Sequence, residues 1–478
     1  MKKNNTLVKY RCVFLFIFII SCVPGISCKK FIEVGPPVTS ISGENLYTDD
    51  ANAVASITGI YAKMSATNFS LNLSVYPELS ADNFELFSQD NLAYTQYYQN
   101  ALISNYGGTP EFWSVIYNYI FPINDAISGL SSSTKITPQV RDRLLGEAYF
   151  LRSFLYFHLV NLYGKIPLAL TTNYVENNKL TRATEADVYQ QIIADSNKAK
   201  SLLTITYVDG TVLKATSERI RPNRSAVDAL LSRVYLYQKN YDAAEKEASE
   251  VIQNNNLFSA NIPLDQVFLA NSLETIWSLQ PVNSRINTGE AAFFIPTDAG
   301  LNSVTSVLLS KGLLESFELG DLRKKTWIDS INFDSKVYYF PSKYKVGFGS
   351  TDLTEYPIVL RLSEQYLIRS EARARLNNIS GSRSDLNIIR NRAGLPETSA
   401  NNTEDLVTAI FKERRVELFS EWSHRWFDLK RSGAINEVME IATPLKGGGS
   451  WKPFKAFYPI PYDDVRLNTN LLQNEGYN

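Results

Sequence analysis

The stretch "ERRVELFSEWSHRWFDLKRSG", Glu413–Gly433, holds the densest set of groups suited to acid–base chemistry. Glu413, Glu417 and Glu421 recur every four residues, so on one continuous helix they share a face. Glu421 and Arg425 have the spacing of a helical ion pair. A glycosidase needs two carboxyls about 5–9 Å apart across a bound sugar, usually from different elements. Three carboxylates on one helix, with arginines among them, read instead as a partly buried ion-pair lattice. Only two histidines exist, His158 and His424, and neither has a ligand-spaced neighbour. No cysteine follows Cys28, so no zinc site is expected. His158 stands in an apolar run and reads as a hydrogen-bonded core residue. There is no phosphate-cradling glycine loop, nucleophile elbow or HExxH motif. The reading is therefore no catalytic residue, no metal and no cofactor.

Binding chemistry is better supplied. The chain has 27 Tyr, 25 Phe and 6 Trp, more tyrosine than a core normally wants. "DNLAYTQYYQNALISNYGG" gathers Tyr94, Tyr97, Tyr98 and Tyr106 in one segment. A tyrosine offers a sugar's C–H bonds a flat apolar face and its hydroxyls a partner. Three of those rings cannot all point one way, so at least one is expected to pack. Asn83 is an amide candidate beside them. A second contribution is expected from the middle of the chain, where Asn283, Arg285, Phe293 and Trp327 are available.

Attachment chemistry lies at the start. Cys12, Cys22 and Cys28 are the only cysteines. Lys2, Lys3, Lys9 and Arg11 precede the apolar run "VFLFIFII", Val13–Ile20, which Pro24 and Gly25 interrupt. A basic start, a short apolar core and small residues before a break make a secretory signal peptide. The run is shorter than the ~20 residues a membrane-spanning helix needs. A cysteine after small residues at its end suits a lipoprotein signal, cleaved before a thiol that takes a diacylglycerol. Two cysteines qualify: Cys22, after "IIS", fits the general pattern better, and Cys28, after "GIS", is the other. Removing residues 1–27 takes four basic and no acidic side chains, and the formal charge from −1 to −5. That balance argues against a nucleic-acid partner.

The expected organisation is a signal peptide at 1–27, a tether at 28–43 and a single domain at 44–478. Its N-terminal part, 44–256, carries tetratricopeptide-like helices, and 257–478 forms the rest. The fold class is mainly α, helical pairs forming a scaffold, with long irregular inserts and minor β. Helical patterns cover Asp49–Met64, Glu111–Leu130 around Pro122, and Arg141–Gly164, which is apolar nearly all round after Ala148. "AVDALLSRVYLYQKNYDAAEKEASEVI", Ala226–Ile252, reads as two helices joined at Lys239-Asn240, with Ala244 and Ala248 permitting close approach. Leu360–Asn378 and Ser384–Leu395 read as a second pair. Residues 67–110 and the tail 445–478 read as irregular, and 257–357 as loops with short strands such as Lys336–Phe340.

Several motifs together resemble one family. They are "GEAYFLRSFLYFHLVNLYGKIPL", "VLRLSEQYLIRSEAR", "LNIIRNRAGL", the Glu413–Gly433 stretch and "YPIPYDDVRLNTNLLQNEGY". In this order they resemble the SusD/RagB family of Bacteroidetes outer-membrane lipoproteins. "CKKFIEV" resembles the family's mature start, which is why Cys28 is preferred. The resemblance implies four tetratricopeptide-like pairs cradling a loop-rich face. It implies a lipid-anchored partner of a SusC-like TonB-dependent transporter in the outer membrane. It implies non-catalytic nutrient capture, most often of an oligosaccharide. A peptide ligand, as in the RagB branch, is the alternative, and an exported helical hydrolase or adaptor the remote one. The sequence departs from the family at Lys29 and Lys30, where acidic residues usually accompany surface export. "GDLRKK" before Trp327 resembles a scaffold motif of the family, an alternative role for that ring.

Overall fold

The computed structural model describes residues 46–477, apart from 106–111, 298, 305 and 351. The signal segment, Cys22, Cys28, the tether and Tyr106 lie outside the described residues. Helices dominate the rest. The first group is α1 (Asp50–Ala66), α2 (Phe69–Ser80), α3 (Leu92–Tyr98), α4 (Phe112–Ser132) and α5 (Pro138–Tyr163). Next come α6 (Tyr174–Asn177), α7 (Glu185–Leu202), α8 (Arg224–Tyr237), α9 (Tyr241–Ile252) and α10 (Gly289–Phe294). Then follow α11 (Lys311–Leu314), α12 (Leu322–Thr326), α13 (Leu362–Arg375), α14 (Ile379–Arg392) and α15 (Thr403–Glu417). The last are α16 (His424–Ser432), α17 (Ile435–Leu445) and α18 (Tyr462–Leu467).

The centre of the scaffold is α5. Pro138 opens it, and Gly164 stops it at φ +71°. Nearly every residue from Val140 onward is buried, as its all-round apolarity requires. The two helical pairs read from the sequence use the same joint. Lys239 takes φ +57° and Asn240 caps α9 by accepting from Ala243 N–H. Asn377 takes φ +61° and Asn378 caps α14 by accepting from Gly381 N–H. In each case a left-handed residue ends one helix and an asparagine starts the next. Ala244 and Ala248 are fully buried, so the second helix approaches closely. Leu367, Leu386, Ile389, Leu406 and Ile410 form a core among α13, α14 and α15.

The strands are short. β1 (Phe84–Leu86) pairs antiparallel with β3 (Val307–Leu309), and β2 (Thr275–Ser278) with β6 (Ile358–Arg361). β4 (Ile328–Phe333) and β5 (Lys336–Pro341) form a hairpin turning at Asp334 and Ser335, both at positive φ.

Two expectations need correcting. Residues 67–110 are not irregular throughout, because α2, β1 and α3 lie there. Pro77 lies inside α2, and its missing N–H leaves the Leu73 carbonyl without a helical partner. The Ser423 hydroxyl donates to that carbonyl at 2.8 Å and repairs the loss. The second correction is the Glu413–Gly433 helix, which is broken. Ser420, Trp422 and Ser423 take positive φ between α15 and α16. The break turns Trp422 inward, where its Nε1 donates to the Ile358 carbonyl at 2.7 Å. Glu421 and Arg425 therefore do not pair with each other. Glu421 binds Arg361 and Lys343, and Arg425 binds Asp82 at 2.6 Å.

Candidate ligand-binding face

The carboxylates with the most catalytic look are sealed. Glu417 is fully buried. It receives Arg361 Nη1 at 2.6 Å, Arg323 Nη1 at 2.8 Å and Arg392 Nη2 at 2.5 Å. Glu274 shares Arg361 at 2.7 Å and also pairs with Arg392. Burial alone would raise the Glu417 carboxyl, but Arg392, Arg361 and Arg323 hold it well below the usual range. A carboxylate held so firmly ionised, with no route to solvent, is neither a proton donor nor a reachable base. Lys343 closes the cluster, donating to the Glu417 carbonyl at 2.8 Å, and burial pushes it down to about 8. His158 is likewise core. It bonds the Phe154 carbonyl at 2.9 Å, and burial pushes it down to about 3.

A different face has open polar and apolar groups. It is built by the α1–α2 junction, the loop 281–288, α10 and the loop 345–352. Asn283 and Arg285 are exposed in the first loop, as a ligand contact requires. The Asn283 Oδ1 accepts from Arg285 N–H at 3.1 Å and shapes the turn. Gly349 N–H donates to the Arg285 carbonyl at 3.0 Å and ties the two loops together. A pocket of about 100 Å³ lies between Asn68–Leu71 and the 279–290 segment. The start of α2 borders it without a side-chain cap, because Asn68 is left-handed at φ +53°. Glu290 lies in its wall, accepts from Ser70, and is raised by burial. The pocket takes a few atoms, so a longer ligand must lie across the face.

The predicted rings divide sharply. Phe293 is half-buried, at the end of α10. Beneath it stands Tyr94, 5.9 Å away edge-to-face, and Tyr76 lies 5.7 Å from Tyr94. Tyr94 and Tyr97 are thus floor, not face, and are buried. They sit three apart on α3, so one side of that helix carries both inward. Tyr97 packs on Tyr76 at 4.9 Å and Tyr458 at 5.3 Å. Tyr98 is partly open, with the Lys446 ammonium 5.2 Å from its ring. Burial, with Glu85 nearby, pushes its hydroxyl up to about 12, so it stays a neutral donor.

Two further expectations fail on burial. Trp327 is 0% exposed, and its Nε1 donates to the Leu264 carbonyl at 2.9 Å. It is scaffold, stacked edge-on against Phe268. Asn83 is also fully buried. It donates to Glu78 at 2.8 Å and accepts from Arg415 at 2.9 Å, which leaves no group for a ligand. The sequence reading missed Phe348, which is 69% exposed in the loop bonded to Arg285. Its signal was a ring between two glycines, Gly347 and Gly349, in a segment without periodicity.

Comparison with known proteins agrees with this architecture. A family model described as "Starch-binding associating with outer membrane" matches residues 30–236, and the SusD family model matches 322–477. SusD-like protein P2 of Formosa agariphila is 25% identical, over 96% of this chain and 99% of that protein. The starch-binding protein SusD of Bacteroides thetaiotaomicron is 31% identical over only 26% of this chain and 22% of its own. Among solved structures, a SusD superfamily protein from Bacteroides vulgatus superposes with TM-score 0.77 at 18% identity, covering 90% of this chain and all of the other. A laminarin-binding SusD-like protein superposes with TM-score 0.73 at 21% identity, again covering 90% and 100%.

Proposed function

The chain belongs to the SusD/RagB family, and on that premise we propose that it captures an oligosaccharide at the cell surface and passes it to a SusC-like TonB-dependent transporter, without catalysis. The observation that carries this reading is the exposure of Phe348, Asn283 and Arg285 on two loops joined by the Gly349–Arg285 hydrogen bond, with Phe293 half-buried at the end of neighbouring α10. Rings meet the C–H faces of a sugar, and amide and guanidinium groups meet its hydroxyls. Outer-membrane association is a property of the matched family, and lipid attachment at Cys28 is the anchor we assign within it. The laminarin-binding neighbour and the starch-binding relative support a glycan ligand. The sealed state of Glu413, Glu417 and Glu421 supports a non-catalytic role.

Calorimetry against laminari- and malto-oligosaccharides tests the reading. Binding to at least one, weakened in Phe293→Ala/Phe348→Ala, is expected, with no product formed over a day. Binding of peptides and of no sugar would select the alternative ligand class. Cys28→Ala is expected to release the protein from membranes; release by Cys22→Ala alone would move the anchor to that residue. Co-purification with a TonB-dependent barrel tests the partner.

A further inference from the structure

A second opening lies where α4 meets α6 and the 169–171 segment. It has a volume of about 290 Å³ and shares no lining residue with the face described above. Phe121 and Tyr174 line it and are 55% and 73% exposed. Single exposed apolar side chains are ordinary, but two large rings flanking one pocket are not. Four asparagines line it as well. Asn124 is fully engaged, donating to the Ala169 carbonyl at 2.8 Å and accepting from Arg152 at 2.9 Å. Asn177 donates to the Thr171 carbonyl at 2.8 Å, and its side-chain carbonyl accepts no hydrogen bond among the described residues. Asn118 and Asn178 are exposed, and their side chains make no hydrogen bond among the described residues.

No lining residue is charged. That excludes a ligand recognised through a phosphate, sulfate or carboxylate. Rings beside free amides, with no ion, match a neutral polyhydroxylated ligand. The volume is at the lower end of the ~300–1,000 Å³ typical of small-molecule sites, so one or two sugar rings fit. The backbone that carries Tyr174 is also held in place. Asn173 caps its short helix, accepting from Val175 N–H at 3.1 Å, and Asn177 ties the far end to Thr171. A backbone fixed in this way loses little freedom on binding. We propose that this pocket is a second, independent site for a neutral oligosaccharide, stacking on Phe121 and Tyr174 and bonding Asn118 and Asn178. It extends the glycan-capture reading above and rests on it only for the ligand class.

The test uses the full mature chain and neutral hexaoses (laminari-, malto-, cello-, xylo- and mannohexaose) at millimolar concentration, read by ligand-observed NMR and calorimetry. At least one hexaose is expected to keep residual binding after Phe293→Ala/Phe348→Ala, and that residual binding is expected to weaken roughly 10-fold or more when Phe121→Ala/Tyr174→Ala is added. All four rings are partly or largely exposed, so unchanged melting temperatures serve as the folding control. If no hexaose behaves in that way, the second site is overturned. If binding is abolished by Phe293→Ala/Phe348→Ala alone, the second site falls while the proposed function stands. If it is lost only with Phe121→Ala/Tyr174→Ala, the second site stands and the first face is wrong. Sugar binding untouched by Phe121→Ala/Tyr174→Ala, with loss of a co-purifying protein, overturns the sugar site in favour of protein docking.

Discussion

The interior around Glu417 and the face around Phe293 and Phe348 are opposites. The first has more ionisable groups than any other region of the sequence reading, and all of them are spent on one another. Arg323, Arg361 and Arg392 converge on Glu417, and Glu274 shares two of them. The second has few charged groups, and Arg285 among them faces water on a loop, while Glu290 is buried in the pocket wall. Density of chemical groups is therefore not the same as availability for a ligand. A buried guanidinium costs so much to desolvate that it must be paired, and pairing removes it from chemistry. Availability, not abundance, separates a site from a scaffold.

The largest effect should come from breaking the sealed region. Glu417→Ala leaves three buried guanidinium groups without their common acceptor, a loss of about 3–5 kcal/mol by the usual cost of an unpaired buried charge. Denaturant unfolding measures it. The Phe348→Ala control, at an exposed ring, should stay within about 0.5 kcal/mol of the parent. A Glu417→Ala protein of unchanged stability that no longer binds sugar would reverse the comparison and make the lattice the site.

Next in size is the open face. If ligand fully covers the ring, Phe293→Ala or Phe348→Ala should cost roughly 1.5–3 kcal/mol, or about 10- to 150-fold in affinity. Calorimetry reads the change. The rings beneath sharpen the contrast. Tyr97→Ala should lower the melting temperature, because Tyr97 packs on Tyr76 and Tyr458. Equal affinity losses at Tyr97 and Phe348, with equal stability, would erase the distinction between floor and face.

How far the sequence carried this division depends on the residue. The α8–α9 and α13–α14 pairs were legible because apolar spacing and an asparagine cap are local properties. The ion-pair character of Glu413, Glu417 and Glu421 was legible from their arginine neighbours. The break at Ser420–Ser423 was not. Each residue there tolerates a helix, and the turn exists because Trp422 finds the Ile358 carbonyl far along the chain. Tyr94 and Trp327 were left between ligand contact and packing because composition cannot separate a ring that meets ligand from one that supports it. Their burial depends on Tyr76 and Phe268, which arrive from other segments. Phe348 went unseen because a lone ring in a glycine loop has no pattern of its own.

Acid should act on the interior. Burial holds His158 at about 3, and His424 well below the usual histidine value. Above pH 6.5 both are neutral folded and unfolded, and contribute nothing to the pH slope. Below it the unfolded chain takes up protons that the folded chain refuses, so stability falls as pH drops from about 6.5 toward 3. Each histidine contributes up to about 1.4 kcal/mol per pH unit. Glu78 runs the other way. Burial raises it to about 7, so the fold gains as pH falls from about 7 toward 4.5. Subtraction separates them. His158→Gln should have a shallower loss than the parent between pH 6.5 and 5, measured by denaturant unfolding. An identical slope would mean that this ring titrates freely and the interior is wetter than its packing implies.

The smallest effect is the most discriminating for the open face. Asn283 can be tested for two jobs, because its Oδ1 accepts from Arg285 N–H while its Nδ2 has no partner among the described residues. Asn283→Ala removes both. Asn283→Asp keeps the acceptor, so it keeps the turn, and exchanges the donor for a charged acceptor oxygen. One hydrogen bond contributes about 0.5–1.5 kcal/mol net, or about 2- to 12-fold in affinity. If Asn283 contacts sugar directly, both variants should lose affinity within that range. If it only shapes the loop, Asn283→Asp should bind as the parent does while Asn283→Ala weakens. Calorimetry with the best-binding oligosaccharide decides between a contact and a support. The second result would move Asn283 to the scaffold side of the comparison and leave Phe293, Phe348 and Arg285 as the face.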